Sequence, residues 1–338
     1  MKKKFFARGT VLILFLFCFT GRAFAEVHFE ISPLYSLRNG CLNELVFYKP
    51  EDELFKLSEL NWNIKNISYT GGKLAVNSGH FKLETGVLGG FSKSSAKMYD
   101  SDWQNLPAAP DVKTTFSISD NTVDSGFNIN TKAAFFLNIE DWFQTGIFAK
   151  YSFDQIKFSA RNGYGWYGSN RYSQNGEFVP YDSEYAKFFA VGSLQGIDYL
   201  RVTEMYNFGF FCELTLFDRV QLLLEAGFLP FAVVKSLDHH YSPSGRESYY
   251  RDEIKFNFSN YELEADLRLK LFYNLYLGCS FSYNYISLRK GDTYSKQEEH
   301  GYTEMIFKDL DEYYPDTTSK SGCSGEWYNL SFYLTYIF

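Results

Sequence analysis

The clearest pattern in the chain is a two-residue alternation. Over residues 261–271, Tyr261, Leu263, Ala265, Leu267, Leu269 and Leu271 share one face, and Glu262, Glu264, Asp266, Arg268 and Lys270 share the other. On a helix those five charges would encircle the axis, so the pattern predicts a strand. Five ionised groups do not face lipid, but they can line a wet lumen. The end of the chain repeats the rule. Tyr328, Leu330, Phe332, Leu334, Tyr336 and Phe338 alternate with Asn329, Ser331, Tyr333, Thr335 and Ile337, and the strand ends on Phe338.

A tilted membrane strand needs about 9–11 residues with alternating lipid-facing and lumen-facing side chains. That template predicts ten strands, near 27–39, 53–68, 80–98, 125–137, 142–161, 195–216, 219–238, 248–271, 274–289 and 324–338. Tight turns fall at 138–141, 217–218 and 272–273, and longer polar connections at 99–124, 162–194, 239–247 and 290–323. Short turns belong on the periplasmic side and long loops outside. An even strand count then places both termini in the periplasm. One strand breaks the rule. Val220, Leu222, Leu224, Ala226 and Phe228 are assigned to lipid, and the same parity would drag Asp238 and His240 outward. Pro230 interrupts the run, and a Pro in a barrel strand predicts a bulge. A one-residue slip there turns Ala232, Val234, Ser236, Asp238 and His240 toward the lumen.

The N-terminus changes the picture by adding a compartment. Residues 1–25 read as a secretory signal peptide: Lys2–Lys4 and Arg8 are basic, Val11–Phe19 is apolar, and Ala23–Ala25 supplies small cleavage-site residues. The apolar run is too short for an anchor helix, which needs roughly 20 residues. Residues 26–338 form a single domain. Removing the leader takes away five basic residues and moves the formal charge from −7 to −12. Nucleic acid is therefore excluded as a partner. Aromatic residues make up 20% of the chain although its mean hydropathy is slightly negative. Aromatic-out, polar-in strands produce that mixture. The expected fold is all-β: a transmembrane antiparallel β-barrel of about ten strands in the bacterial outer membrane, with long extracellular loops and short periplasmic turns.

Two pairs with i, i+2 spacing carry candidate chemistry. Asp100 and Asp102, in Asp100-Ser101-Asp102-Trp103, end the third strand; Asp238 and His240, in Asp238-His239-His240-Tyr241, end the seventh. Residues two apart on a strand share a face. By parity Asp100 and Asp102 continue the lumen face of Lys82, Glu84 and Gly86. Three carboxylates and an imidazole thus meet in one mouth from opposite walls. An imidazole oriented by a carboxylate can take a proton from water near neutral pH. The spacing lacks a metal signature, and no cofactor is expected.

Four segments, in chain order, resemble the omptins, a family of ten-stranded outer-membrane proteases. Leu57-Ser58-Glu59-Leu60-Asn61-Trp62 is the first and Met98-Tyr99-Asp100-Ser101-Asp102-Trp103 the second. Phe158-Ser159-Ala160-Arg161 and Asp238-His239-His240-Tyr241 complete the series. The resemblance covers essentially the whole mature chain. It implies an endopeptidase acting on polypeptides at the cell surface, its mouth facing outside. Water held between His240 and an opposing Asp would attack the peptide carbonyl, with Asp238 orienting the imidazole and Asp100 and Asp102 facing it. Glu44 matches the family's acidic reader of basic residues beside the scissile bond. A second acidic reader is replaced by Ser236, and Asp252 on the neighbouring strand is the candidate substitute. Tyr151 matches one lipopolysaccharide-contacting position, but a basic one falls near Gln155, which puts lipopolysaccharide dependence in doubt. The acids of the last loop (Asp309, Asp311, Glu312, Asp316) read as a solvated surface.

Other classes remain. A barrel of this architecture without activity would serve as an adhesin or binding protein. A barrel phospholipase needs a Ser beside a His on the wall, and no convincing pair is present. A porin is disfavoured because side chains largely fill a ten-stranded lumen. Finally, Cys41 and Cys323 lie at the outer ends of strands that closure makes neighbours. That placement predicts a disulfide, with two free thiols as the alternative. Cys212 and Cys279 fall on lipid-facing parity.

Overall fold

A computed structural model describes residues 27–168, 178–192, 196–241, 246–258, 260–299 and 313–338. The expected signal peptide and the acids Asp309, Asp311 and Glu312 lie outside them. The described elements are all strands: β1 (Val27–Tyr48), β2 (Phe55–Ser78), β3 (Phe81–Gly90), β4 (Lys93–Asp102), β5 (Thr115–Glu140), β6 (Phe143–Tyr167) and β7 (Lys187–Ala190) come first. Then follow β8 (Gly196–Leu216), β9 (Val220–His240), β10 (Arg246–Phe256), β11 (Asn260–Phe272), β12 (Leu275–Glu299), β13 (Tyr314–Pro315) and β14 (Ser319–Ile337). Strands β3 and β4 lie end to end between β2 and β5, and β10 and β11 likewise between β9 and β12. Short strands β7 and β13 pair with the upper parts of β6 and β12. The wall therefore has ten strands. It closes through antiparallel pairing of β1 with β14, from Glu30 opposite Ile337 to Tyr48 opposite Ser319. Closure removes the unpaired edges that hydrocarbon would not tolerate.

The two-residue alternation holds on both faces. Tyr261, Leu263, Leu267, Leu269 and Leu271 are exposed on β11, while Glu262 and Asp266 between them are buried. On β14, Tyr328, Phe332, Leu334 and Tyr336 point out and Ser331, Tyr333 and Thr335 point in. Exposed apolar side chains form a band that includes Phe29, Ile31 and Tyr35 on β1 and Tyr206, Phe208 and Phe210 on β8. Inside the band, charges neutralise one another. Arg38 bonds Asp154 at 2.7 Å, Lys132 bonds Glu225 at 2.6 Å, and Lys150 bonds Glu262 at 2.5 Å. Tyr333 donates to Asp266, and Glu30 takes both Lys82 and Arg268 at 3.3 Å. At low dielectric such pairing is what makes buried charge tolerable.

The hairpin at Phe217–Asp218 carries positive φ at both residues, 53° and 54°, as a two-residue type I′ turn requires. Elsewhere the strands outrun the expected ends on the loop side: β1 continues to Tyr48 and β5 begins at Thr115. Segments expected as loop at 99–102 and 115–124 are thus wall. Clear of the apolar band, outward positions are polar too, so the alternation that marks a strand fades while the pairing continues.

Register also corrects the expected disulfide. Cys41 and Cys323 are both free. Strands β1 and β14 are neighbours, but Cys41 sits opposite Glu326 and Cys323 opposite Glu44. That stagger of three residues puts the two thiols on opposite faces of the wall. Cys323 is buried inside beside Glu44, while Cys41 Sγ donates to Asn43 Oδ1 at 3.1 Å on the other face.

Candidate active site

The wall rises beyond the apolar band, and the candidate residues sit in that extension. Glu44 lies nine residues past Tyr35 on β1, and Asp238 seven past Phe231 on β9. The expected slip at Pro230 is present. Tyr206 of β8 pairs with Phe231, but Phe208 pairs with Phe228, so β9 carries one extra residue between them. Phe228 is exposed below that bulge, whereas Ala232 and Val234 are fully buried above it. Asp238 and His240 consequently enter the lumen rather than leaving it. On the facing wall β4 keeps its even positions inward, with Met98 buried in the core beneath Asp100 and Asp102.

His240 Nε2 and Asp238 Oδ2 are 2.5 Å apart. Asp238 is buried and the imidazole is partly open to the mouth. Burial works against the imidazolium, but Asp238 first, then Asp100 and Asp102, outweigh it and raise the His240 pKa. Both pairs therefore act on the one imidazole. Burial lifts Asp100 well above the usual carboxylate range, Asp102 and Asp238 add to the lift, and His240 opposes it. Burial likewise raises Asp102, against the pull of Ser58 and His240. Ser58 is the register partner of Asp102 and sits against this carboxylate pair. Asp100 Oδ1 and Asp238 Oδ1 are buried and accept no hydrogen bond. Two acceptors without donors, on carboxylates that both act on the imidazole, form a place where a donor such as water would be held.

Glu44 and Asp252 join the same cleft, Glu44 in the register row of Asp100 through Leu60. Trp62 Nε1 donates to Glu44 at 3.3 Å. Burial, with Asp238 and Asp252, raises the Glu44 carboxyl well above its usual range. Ser236 donates to Asp252 Oδ2 at 3.0 Å, and burial pushes the Asp252 pKa up to about 7. All six sequence-derived residues are therefore brought together. Sequence reasoning missed the aromatic base of the cleft and a cation. Trp62 stacks on Tyr199 at 5.2 Å and packs against Phe158 at 5.3 Å. Arg201, on the same strand as Tyr199, is buried. Trp62 and Phe158 lay within quoted segments, but Tyr199 and Arg201 sit in an ordinary strand run with no spacing to mark them. Among the described residues no group of three or more His, Cys, Asp or Glu is arranged to hold a metal ion.

Comparison with curated proteins gives no match. Among solved structures, the outer membrane protease OmpT from Escherichia coli matches with a TM-score of 0.78 at 18% identity, over 94% of this chain and 99% of that one. The translocator domain of the autotransporter NalP from Neisseria meningitidis matches over 98% of this chain and 94% of that one. Its TM-score of 0.34 at 8% identity is too low to bear on this chain. The family model for omptins matches residues 31–312, a span that holds every candidate site residue. With that span matched and the barrel shared with OmpT, the chain belongs to the omptin family of outer-membrane proteases.

Proposed function

We propose that the cleft hydrolyses internal peptide bonds of polypeptides at the cell surface, with its mouth facing outside. The observation that carries this reading is the pair of orphaned carboxylate oxygens, Asp100 Oδ1 and Asp238 Oδ1, flanking His240 beyond the apolar band. A water held between His240 and Asp100 would lose its proton to the imidazole as its oxygen attacks the carbonyl carbon. Asp238 orients the ring and stabilises the imidazolium that forms, the role an aspartate plays toward a catalytic histidine elsewhere. The imidazolium then returns the proton to the leaving amine. Asp102 and Ser58 hold Asp100 in place. Glu44 and Asp252 line the substrate side, and the charge they present there decides which side chains flank the bond.

The outer wall gives less support for lipopolysaccharide dependence. Tyr151 packs on Tyr206 at 5.1 Å, but Gln155 pairs in register with Phe127 and Val202 and brings no charge. The test is direct. Refolded barrel incubated with a peptide library should yield internal cuts, mapped by mass. Asp100→Ala should yield none while still migrating differently before and after boiling in SDS. A heat-shifted wild-type barrel that cuts nothing would end the reading.

A further inference from the structure

Asp238 and His240 lie within the last three residues of β9. A strand end is where backbone pairing alone holds least. Asp238 also raises the carboxyls of both Asp100 and Glu44, and the repulsion among these acids presses on the strand end from the lumen side. His239 sits between the two residues of the pair and, by strand parity, points to the opposite face. It is 1% exposed. Its register partners are Asp198 on β8 and Tyr249 on β10.

Those neighbours build a continuous clamp on that face. The His239 ring stacks on Tyr249 and packs against Tyr241, with ring centroids 4.1 Å apart in each case. Its Nε2 is 2.9 Å from Glu247 Oε2, and the Tyr249 hydroxyl donates to the same oxygen at 3.0 Å. A carboxylate oxygen accepts, so Nε2 carries the proton in that bond. Tyr241 Oη donates to Asp198 Oδ2 at 2.9 Å, and Arg161 of β6 donates to Asp198 Oδ1 at 2.5 Å. The Arg161 guanidinium also lies over the Tyr241 ring, 4.8 Å from its centroid, and donates to the Ile197 carbonyl. Each member fixes the rotamer of the next, from β6 through β8 and β9 to β10. The lumen face of this strand end keeps an acceptor without a donor, Asp238 Oδ1, while its other face is tied together.

We propose that His239 is a positioning residue: its clamp fixes the end of β9 and so holds the His240 imidazole against Asp238. The proposal rests on the endopeptidase reading for the reaction served, but the contact itself is tested without turnover. Barrel refolded with histidine isotope-labelled at Cε1 would be titrated by NMR, the His240 signal being the one absent from His240→Ala. In wild type its midpoint should lie above 6.5, because Asp238 favours the imidazolium. His239→Ala, which removes the ring and its bond to Glu247, should bring that midpoint down toward 6.5. On the best library peptide, kcat should fall about 10–100-fold while KM stays within about twofold, the mark of a displaced catalytic group. His239→Phe, which keeps a ring against Tyr241 and Tyr249, should recover part of both losses. Lys132→Met, which unsettles the lower lumen instead, should lower stability and leave the midpoint in place. If His239→Ala loses the heat-shifted band, Glu247→Leu decides: it leaves the imidazole ring in place and should lower the midpoint likewise. An unchanged midpoint in a folded His239→Ala or Glu247→Leu barrel, or the same fall in Lys132→Met, would overturn the proposal. A wild-type barrel that cuts no peptide, while His239→Ala still lowers the midpoint, would sink the endopeptidase reading and leave the clamp standing.

Discussion

The lower and upper halves of the lumen hold the same kinds of side chain under opposite arrangements. In the lower half each named carboxylate has a donor aimed at it: Asp154 takes Arg38, Glu225 takes Lys132, Glu262 takes Lys150, and Glu30 takes Lys82 and Arg268. In the upper half Asp100, Asp102, Asp238, Glu44 and Asp252 crowd together, His240 pairs with Asp238 alone, and Arg201 hydrogen-bonds to the Ser324 carbonyl and to none of the five. The lower half uses charge to fill and rigidify a wet lumen. The upper half pairs His240 with Asp238 but leaves Asp100 Oδ1 and Asp238 Oδ1 without donors, which costs stability and leaves acceptors free for a ligand. Perturbed, under-satisfied titratable groups in a cleft are the physical mark of a functional site.

The contrast can be broken by exchanging the two logics. Asp238→Asn should lower peptide cleavage by about 10³–10⁴-fold, because the amide no longer fixes the imidazole tautomer, while the heat-shifted band survives. Retained turnover would detach Asp238 from the chemistry. In the lower half the same kind of change should spare chemistry and strike folding. Lys132→Met strands Glu225 and should cost roughly 3–5 kcal/mol in urea unfolding, whereas Lys132→Met with Glu225→Leu should recover most of it. Equal stability of single and double variants would show that the pair carries no such burden.

The smallest expected effect is on pH dependence. Asp252 binds its proton more tightly when folded, near 7, than at its ordinary value of 3.8. Its penalty is therefore absent below about pH 4, grows as pH rises, and is complete above about 7. His240 acts in the same direction, since its raised pKa supplies stability that is lost as pH passes its folded value. The temperature at which the heat-shifted band disappears should fall from pH 4 to pH 8, and Asp252→Asn should flatten that fall. A melting temperature that climbs over this range would contradict the assignment.

How much of this was legible in the sequence differs between the halves. Where lipid enforces alternation, as at 261–271 and 328–338, strand, face and lumen followed directly from parity. The slip at Pro230 was legible for the same reason: charge facing lipid is expensive enough to demand a bulge. Above the band, water wets both faces and parity loses its meaning, so β1 and β5 were read short. The cysteines show a second limit. Adjacency of β1 and β14 followed from closure, but their stagger is set by pairing along the whole seam, which no local pattern encodes. Arg201 shows a third. Its hydrogen bond crosses the lumen to Ser324, 123 residues away, and a lone Arg in a strand carries no trace of that.

The central claim is that His240, set between Asp238 and the Asp100–Asp102 pair, is the base that activates water. The most direct measurement is kcat/KM for the best library peptide across pH 5–9, in wild type and His240→Ala. The account predicts a wild-type rate that rises through one inflection above 6.5, the imidazole's ordinary value. His240→Ala should be at least a thousandfold slower, about 4 kcal/mol of lost transition-state stabilisation, with that inflection gone. A His240→Ala barrel that keeps the wild-type rate, or the same rising limb, would contradict it.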